Sequence, residues 1–365
     1  MSDINIYLAG CVSDVSPSLP FLSDYMDKRR NTRIFIFSHL RTASHLFFRI
    51  MESHPSLTIK QYPFMEAFFF GPERLSVRRS DSSDDFFANE EAKFAGHTFQ
   101  KCLDDMETLI KDIESEGKYV MLKEHTVHLI TSRVHEANIE EKRPFRPTPV
   151  LQDHCLDLDE AQRVDAMRTT TALPIPNPTI LPDRLLKTLT PVFIIRHPAL
   201  VFPSYLRASK IFGATAFDDD APFYMTLKWQ RLLLDFYKTW YSCPEGAKSA
   251  GPGREHFPIV IDADKLINDS HGQIDKLCRL LGLDPAPIRF TWEAQDRSGN
   301  RAQAAFLTTI SNSTGVIKSK GSKLPVLEDE AREWAKEWDV ETVQAMKSRT
   351  EDAMEDYEYM LKHSI

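Results

Sequence analysis

The stretch RIFIFSHLRTASHLFFRIMESHP, residues 33–55, restricts the fold of this 365-residue chain more than any other. Arg33 to Phe37 carries the continuous apolar pattern of a buried strand, and Leu46, Phe47, Ile50 and Met51 fall near the 3.6-residue period of a helix. Pro55 disfavours helical geometry at the residue before it and so stops that helix. Between strand and helix lies a short loop holding Arg41, Thr42 and Ser44. Such a loop leaves backbone N–H groups free at a helix N-terminus, whose partial positive charge favours an anion. A phosphate group of a nucleotide is the expected occupant, with Arg41, Thr42 and Ser44 supplementing the amides. A plain strand-to-helix connection with a serine cap would leave the same pattern. The Walker A pattern GxxxxGK[ST] is absent here and throughout the chain, which argues against a conventional ATPase or GTPase.

Three further apolar runs read as buried strands: YVMLKEH (119–125), PVFIIRHP (191–198) and PIVIDADKL (258–266). Helical spacing of apolar residues runs through 84–117, ending at Gly117, and through 225–241, where Trp229 belongs to a broad apolar stripe facing the core. Strands alternating with helices predict an α/β fold of three layers, a mostly parallel central sheet flanked by helices. Ligands of such sheets sit outside the carboxyl ends of the strands. Arg41, His125 and Arg196 all follow strand ends, so one pocket can contain all three.

An N-terminal arm of residues 1–30 and a single domain over 31–365 are expected. The domain is interrupted at about 137–185 by a proline-rich, charged insertion with little periodicity, placed over the pocket mouth and partly ordered at best. Residues 242–257 read as a plain surface loop, and Phe217 to Asp220 as an exposed acidic turn.

A formal net charge of -8 disfavours a nucleic-acid partner, which would select a broad basic face, so an anionic ligand must meet a local cluster of arginine and lysine. Cys11, Cys102, Cys155, Cys243 and Cys278 are scattered without CxxC or Cys/His ligand spacing; they read as reduced thiols, and no metal site is expected. The N-terminus lacks the basic region of a signal peptide, and no run approaches the roughly 20 apolar residues of a membrane span. The cytoplasm is the expected compartment, with no membrane partner.

Three separated motifs, in order, resemble the sulfotransferases that use PAPS, 3′-phosphoadenosine 5′-phosphosulfate. In that family a [KR]-[ST]-G-[ST]-[ST] loop after the first strand holds the 5′-phosphosulfate; Arg41, Thr42, Ala43, Ser44 and His45 stand there. The family's K-x-H at the end of a middle strand matches Lys123, Glu124 and His125. Its 3′-phosphate motif, an arginine followed eight residues later by serine, matches Arg196 and Ser204 in IIRHPALVFPSYLRAS. Leu281 to Leu283 match a Leu-Gly-Leu helix end, and SNSTGVIKSKGSK (311–323) stands where the family has a glycine and basic loop, here Gly315, Lys318 and Lys320. The similarity runs from about 33 to 325, outside the insertion. Ala43 replaces the usual glycine and His45 a small hydroxyl residue, so the loop must adopt angles that an L-residue tolerates.

The resemblance implies a P-loop NTPase-like fold and transfer of a sulfuryl group from PAPS, leaving 3′,5′-ADP, to a hydroxyl or amine of a small organic acceptor. His125 would be the base, since an imidazole accepts a proton near neutral pH, with His128 as the alternative. Lys123 and Arg41 would neutralise charge on the bridging and sulfuryl oxygens, and Arg196 with Ser204 would hold the 3′-phosphate. Taken singly, each has a structural counterpart: His125 as a hydrogen-bonded strand end, Lys123 and Arg196 as sheet-edge charges, Lys318 and Lys320 as solvated charges. The aromatic run 62–74 suits either an acceptor pocket or core packing. Alternatives are a protein that keeps the fold without catalysis, sulfation that triggers elimination or cyclisation, and an ATP-dependent phosphotransferase.

Overall fold

Five strands make one sheet: β1 (Arg33–Ser38), β2 (Leu57–Gln61), β3 (Tyr119–His125), β4 (Thr190–Ile195) and β5 (Ile259–Asp262). Their order is β2-β3-β1-β4-β5, and every neighbouring pair is parallel. The computed structural model describes residues 33–76, 86–139, 146–156, 173–250, 254–294, 301–318 and 325–365. Asn31–Ile365 cluster as one compact unit. The arm expected over residues 1–30 lies outside the described residues.

Alternation along the strands sorts the core into two faces. Phe35 and Phe37 of β1, Leu122 of β3 and Phe193 of β4 pack with helices α3 (Phe99–Ser115), α4 (Pro198–Ser209), α5 (Lys228–Ser242) and α8 (Val340–Leu361). Ile34 and Ile36, with Met121, Val192 and Ile261, pack with helices α1 (Ser44–Met51) and α6 (Ser270–Leu281). Helices thus cover both faces, and the loop-to-helix turn leaves the carboxyl end of the central strand, the P-loop NTPase-like arrangement. Two helices used below are α2 (Met65–Phe69) and α7 (Arg301–Ser311).

Several local expectations need correction. Leu57–Gln61 pairs at the sheet edge although its apolar pattern is weak, because its ladder to β3 supplies the backbone partners that its side chains do not advertise. The fourth run stops being a strand at Asp262, whose carboxylate accepts from the Lys265 N–H at 2.9 Å and caps a helix beginning at Ala263. The third run is strand only to Ile195, since Pro198 opens α4. Residues 84–117 form two helices, Phe86–Lys93 and Phe99–Ser115, the second capped by Thr98. The stretch 242–257 holds a helix, Pro244–Ala250, and a short 3-10 turn at Arg254–His256, so it is no plain loop. In the acidic turn Phe217 is exposed, but Asp220 is buried.

The described parts of the insertion are packed rather than loose. Leu151, Leu156, Ile180 and Leu181 join the core, and Arg184 pairs with Asp153 at 2.8 Å. Trp229 is buried, with its indole N–H donating to the Phe223 carbonyl at 2.8 Å. Among the described residues no helix is long and apolar enough to cross a membrane.

Candidate active site

The loop from His39 to Ala43 leaves β1 in an unusual backbone conformation. Arg41 and Ala43 take φ of 65° and 53°, and Tyr62, just past β2, takes 59°. Among the described residues these are the non-glycine positions with left-handed backbone, and all three lie together here. An L-residue in that region costs of order 1–3 kcal/mol, and such strain collects at ligand-binding sites. Ala43 therefore adopts the geometry a glycine would take freely. It is also the N-cap of α1, with no side chain capping that terminus. The Thr42 hydroxyl is buried and donates to the His39 carbonyl at 2.8 Å, which closes the loop. Ser44 is buried in the first turn of α1.

Arg41 turns toward α4. Its Nε donates to the Ser204 hydroxyl at 3.0 Å, and its NH1 donates to the Phe306 carbonyl of α7 at 2.8 Å. Burial lowers the Arg41 pKa first, Tyr62 acts in the opposite direction, and the like charge of Arg196 lowers it further. Asp264 accepts from the Arg196 Nε at 3.1 Å, which holds the guanidinium while leaving the NH1 and NH2 ends to other acceptors. Arg41 thus meets Ser204, 163 positions on, and Arg196 follows the carboxyl end of β4, the neighbour of β1.

The K-x-H spacing works because a strand repeats every two residues. Lys123 pairs with Ile36 and His125 with Ser38, both toward the α1 face, whereas Glu124 pairs with Phe37 toward the other. Lys123 is fully buried; its ammonium lies 5.4 Å from the Phe48 ring centroid and donates to the Tyr62 hydroxyl at 2.6 Å. The Tyr62 hydroxyl in turn bonds His45 Nε2 at 3.1 Å. Burial drives the Lys123 pKa well below its ordinary value, with Glu124 acting in the opposite direction. An anion arriving here would restore its charge.

His125 Nδ1 lies 3.0 Å from the Ser38 hydroxyl, and that hydroxyl is directed at the Glu124 carbonyl at 3.4 Å. For Nε2 to serve as a base, the ring must carry its proton on Nδ1, where the Ser38 hydroxyl can accept it. Glu124, behind the strand, accepts from the Phe64 and His125 N–H groups at 2.9 and 2.8 Å and bonds His128 Nδ1 at 2.8 Å. It organises the strand end from the opposite face. Burial above all, then the positive fields of Lys123 and the neighbouring histidines, holds the His125 pKa well below 6.5. A base works only when unprotonated, so activity is lost as pH falls through this pKa. The acid limb of a kcat/KM profile is therefore expected below pH 6.5. A limb at or above that value would contradict the assignment.

Sequence reasoning passed over Ser38, Asp264 and the carbonyl of Phe306. Ser38 has a signal in its register, as the hydroxyl residue ending the strand beside His125; a backbone carbonyl has none. Gly315 pairs in an isolated bridge with Thr291, and Lys318 is exposed. Lys320 lies outside the described residues. The aromatic run divides: Phe64 and Phe68 are core, whereas Phe69 and Phe70 are half-buried and Phe70 meets Phe86, Phe87 and Phe94.

No protein-family model matches the chain. It is 31% identical over 343 residues to Sulfotransferase ppzF of Metarhizium majus (strain ARSEF 297), spanning 90% of this chain and 95% of that protein. It is 30% identical over 342 residues to Sulfotransferase ppzF of Metarhizium rileyi (strain RCEF 4871), spanning 90% and 94%. Among solved structures, the sulfotransferase domain of the Synechococcus PCC 7002 olefin synthase aligns at 15% identity and a TM-score of 0.39, over 87% of this chain and 93% of that one. Mouse sulfotransferase SULT7A1 complexed with PAP aligns at 12% identity and a TM-score of 0.34, over 94% and 91%.

Proposed function

The chain belongs to the sulfotransferase family, and from that premise we propose that it transfers a sulfuryl group from PAPS to a hydroxyl or amine of a small organic acceptor. The observation that carries this is the Arg41–Ser204 contact, with Arg196 at the end of β4 and the buried pair Lys123 and His125 at the end of β3, around a strained loop whose helix has no side-chain cap. These donors suit a ligand with anionic groups at two ends. PAPS supplies an SO3 group on a phosphosulfate whose bridging oxygen departs with the bonding electrons.

Arg196 and Ser204 bind the 3′-phosphate, and the amides of the Arg41–His45 loop with Arg41 bind the 5′ end. Lys123 carries positive charge to the departing oxygen, where it stabilises the transition state more than the ground state. His125 Nε2 accepts the proton of the acceptor, oriented by the Nδ1–H bond to Ser38. Gly315, Lys318 and Lys320 remain further candidates for the 3′-phosphate.

The experiment is a comparison of thermal stabilisation by 3′,5′-ADP and by ATP, followed by transfer of labelled sulfate from PAPS across a panel of phenols, alcohols and amines. Stabilisation by 3′,5′-ADP and appearance of a sulfated product are expected. Stabilisation by ATP alone would point to a phosphotransferase, and binding of 3′,5′-ADP without turnover on any acceptor would point to a fold retained without catalysis. Release of free sulfate with an alkene or ring product would show sulfation used to activate a leaving group.

A further inference from the structure

We infer that Asp104, Glu107, His154 and Cys155 bind one divalent metal ion of the zinc class, which ties the insertion to helix α3. The sequence gives no hint of it, because two ligands lie one helical turn apart and the other two are neighbours almost fifty residues on, in a spacing that matches no ligand motif.

Residues 152–155 are held against one face of α3. Gln100 exchanges two hydrogen bonds with the Gln152 backbone, both at 2.9 Å, and also donates to Asp104 Oδ1 at 2.8 Å. Asp104 and Glu107 follow at positions i+4 and i+7 from Gln100, on the same side of the helix. Glu107 is fully buried, and its Oε2 accepts the N–H groups of His154 and Cys155 at 3.2 and 3.0 Å. Clamping that backbone explains one carboxylate oxygen. It does not explain the other, since Oε1 is buried with no hydrogen-bond partner. A buried carboxylate oxygen left alone is costly unless a cation or donor meets it.

His154 supplies the second independent sign. Its Nδ1 bonds the Gln152 carbonyl at 2.8 Å, so Nδ1 is the donor and the lone pair is on Nε2. This is how metal-bound histidines are oriented, by a carbonyl holding the other ring nitrogen. Nε2 then lies 3.6 Å from Asp104 Oδ1. One ligand atom from each of the four residues lies within 4.8 Å of the other three. A tetrahedral zinc ion with bonds of about 2.0–2.3 Å sets its ligand atoms roughly 3.3–3.8 Å apart, so closure needs shifts of about an ångström. The donors are one nitrogen, one sulfur and two carboxylates, a set that suits zinc rather than calcium or magnesium, which prefer oxygen alone. Arg184, the nearby cation, has its guanidinium engaged by both carboxylate oxygens and the carbonyl of Asp153.

The test uses the full chain without an affinity tag, stripped by a chelator and titrated with cobalt(II) as a spectroscopic stand-in for zinc. Saturation at one ion per chain is expected, with tetrahedral d–d absorption and a sulfur-to-cobalt charge-transfer band that zinc abolishes by displacement. Cys155→Ser is expected to lose the charge-transfer band, and Glu107→Gln to weaken binding at least about tenfold. Should Glu107→Gln fail to fold, Asp104→Asn, at a half-buried position, is expected to give the same weakening. Zinc should also raise the unfolding temperature of the wild-type chain and not that of His154→Ala. No saturable uptake, or a charge-transfer band that survives in Cys155→Ser, would overturn the assignment.

Discussion

Replacing His125 by alanine is expected to lower kcat by about 10²–10⁴ while leaving the affinity for 3′,5′-ADP nearly unchanged. In the proposed reaction the imidazole would meet the acceptor, not the nucleotide, so its loss should remove proton transfer without removing a nucleotide contact. Single-turnover rates with PAPS, beside calorimetric titration with 3′,5′-ADP, separate the two. Near-normal turnover would remove His125 from its role and transfer attention to His128, which already has a carboxylate partner in Glu124 at 2.8 Å. Equal losses of rate and nucleotide affinity would instead mean that the strand end has collapsed.

Replacing Arg196 by alanine is expected to weaken binding of 3′,5′-ADP by about 10- to 100-fold, the worth of a charge-assisted contact of roughly 1.5–3 kcal/mol. Binding of 5′-AMP, which lacks the 3′-phosphate, should change little. The difference between the two nucleotides is the diagnostic quantity. A uniform loss for both would show that Arg196 acts through Asp264 on the packing of the site, and an unchanged affinity for both would contradict the contact altogether.

Much of this arrangement was legible from the residues. Buried parallel strands are continuous apolar runs, and all four read from the chain recur at or near their expected places. β2 was missed because LTIKQ has little apolar content; its strand character comes from pairing with β3, a long-range interaction that no local pattern carries. The loop, the K-x-H strand and the arginine–serine pair were legible because each is local. What orders them was not. The Ser38 bond to His125 arises from register between strands 87 positions apart, and the carbonyl of Phe306 reaches Arg41 across 265 positions. Replacement of glycine by Ala43 predicted a constraint on the loop, and the backbone resolves it by accepting the left-handed angle.

One consequence follows from the ladder between β1 and β3, whose six rungs run from Arg33 opposite Val120 to Ser38 opposite His125. A slip of a single rung would set Glu124 beside Ser38 and swing the imidazole through to the other side of the sheet. The His125 ring is thus aimed by the whole length of that pairing, like the last tooth of a ratchet. Looseness introduced at the far end of either strand would blunt the chemistry while the protein still held its shape.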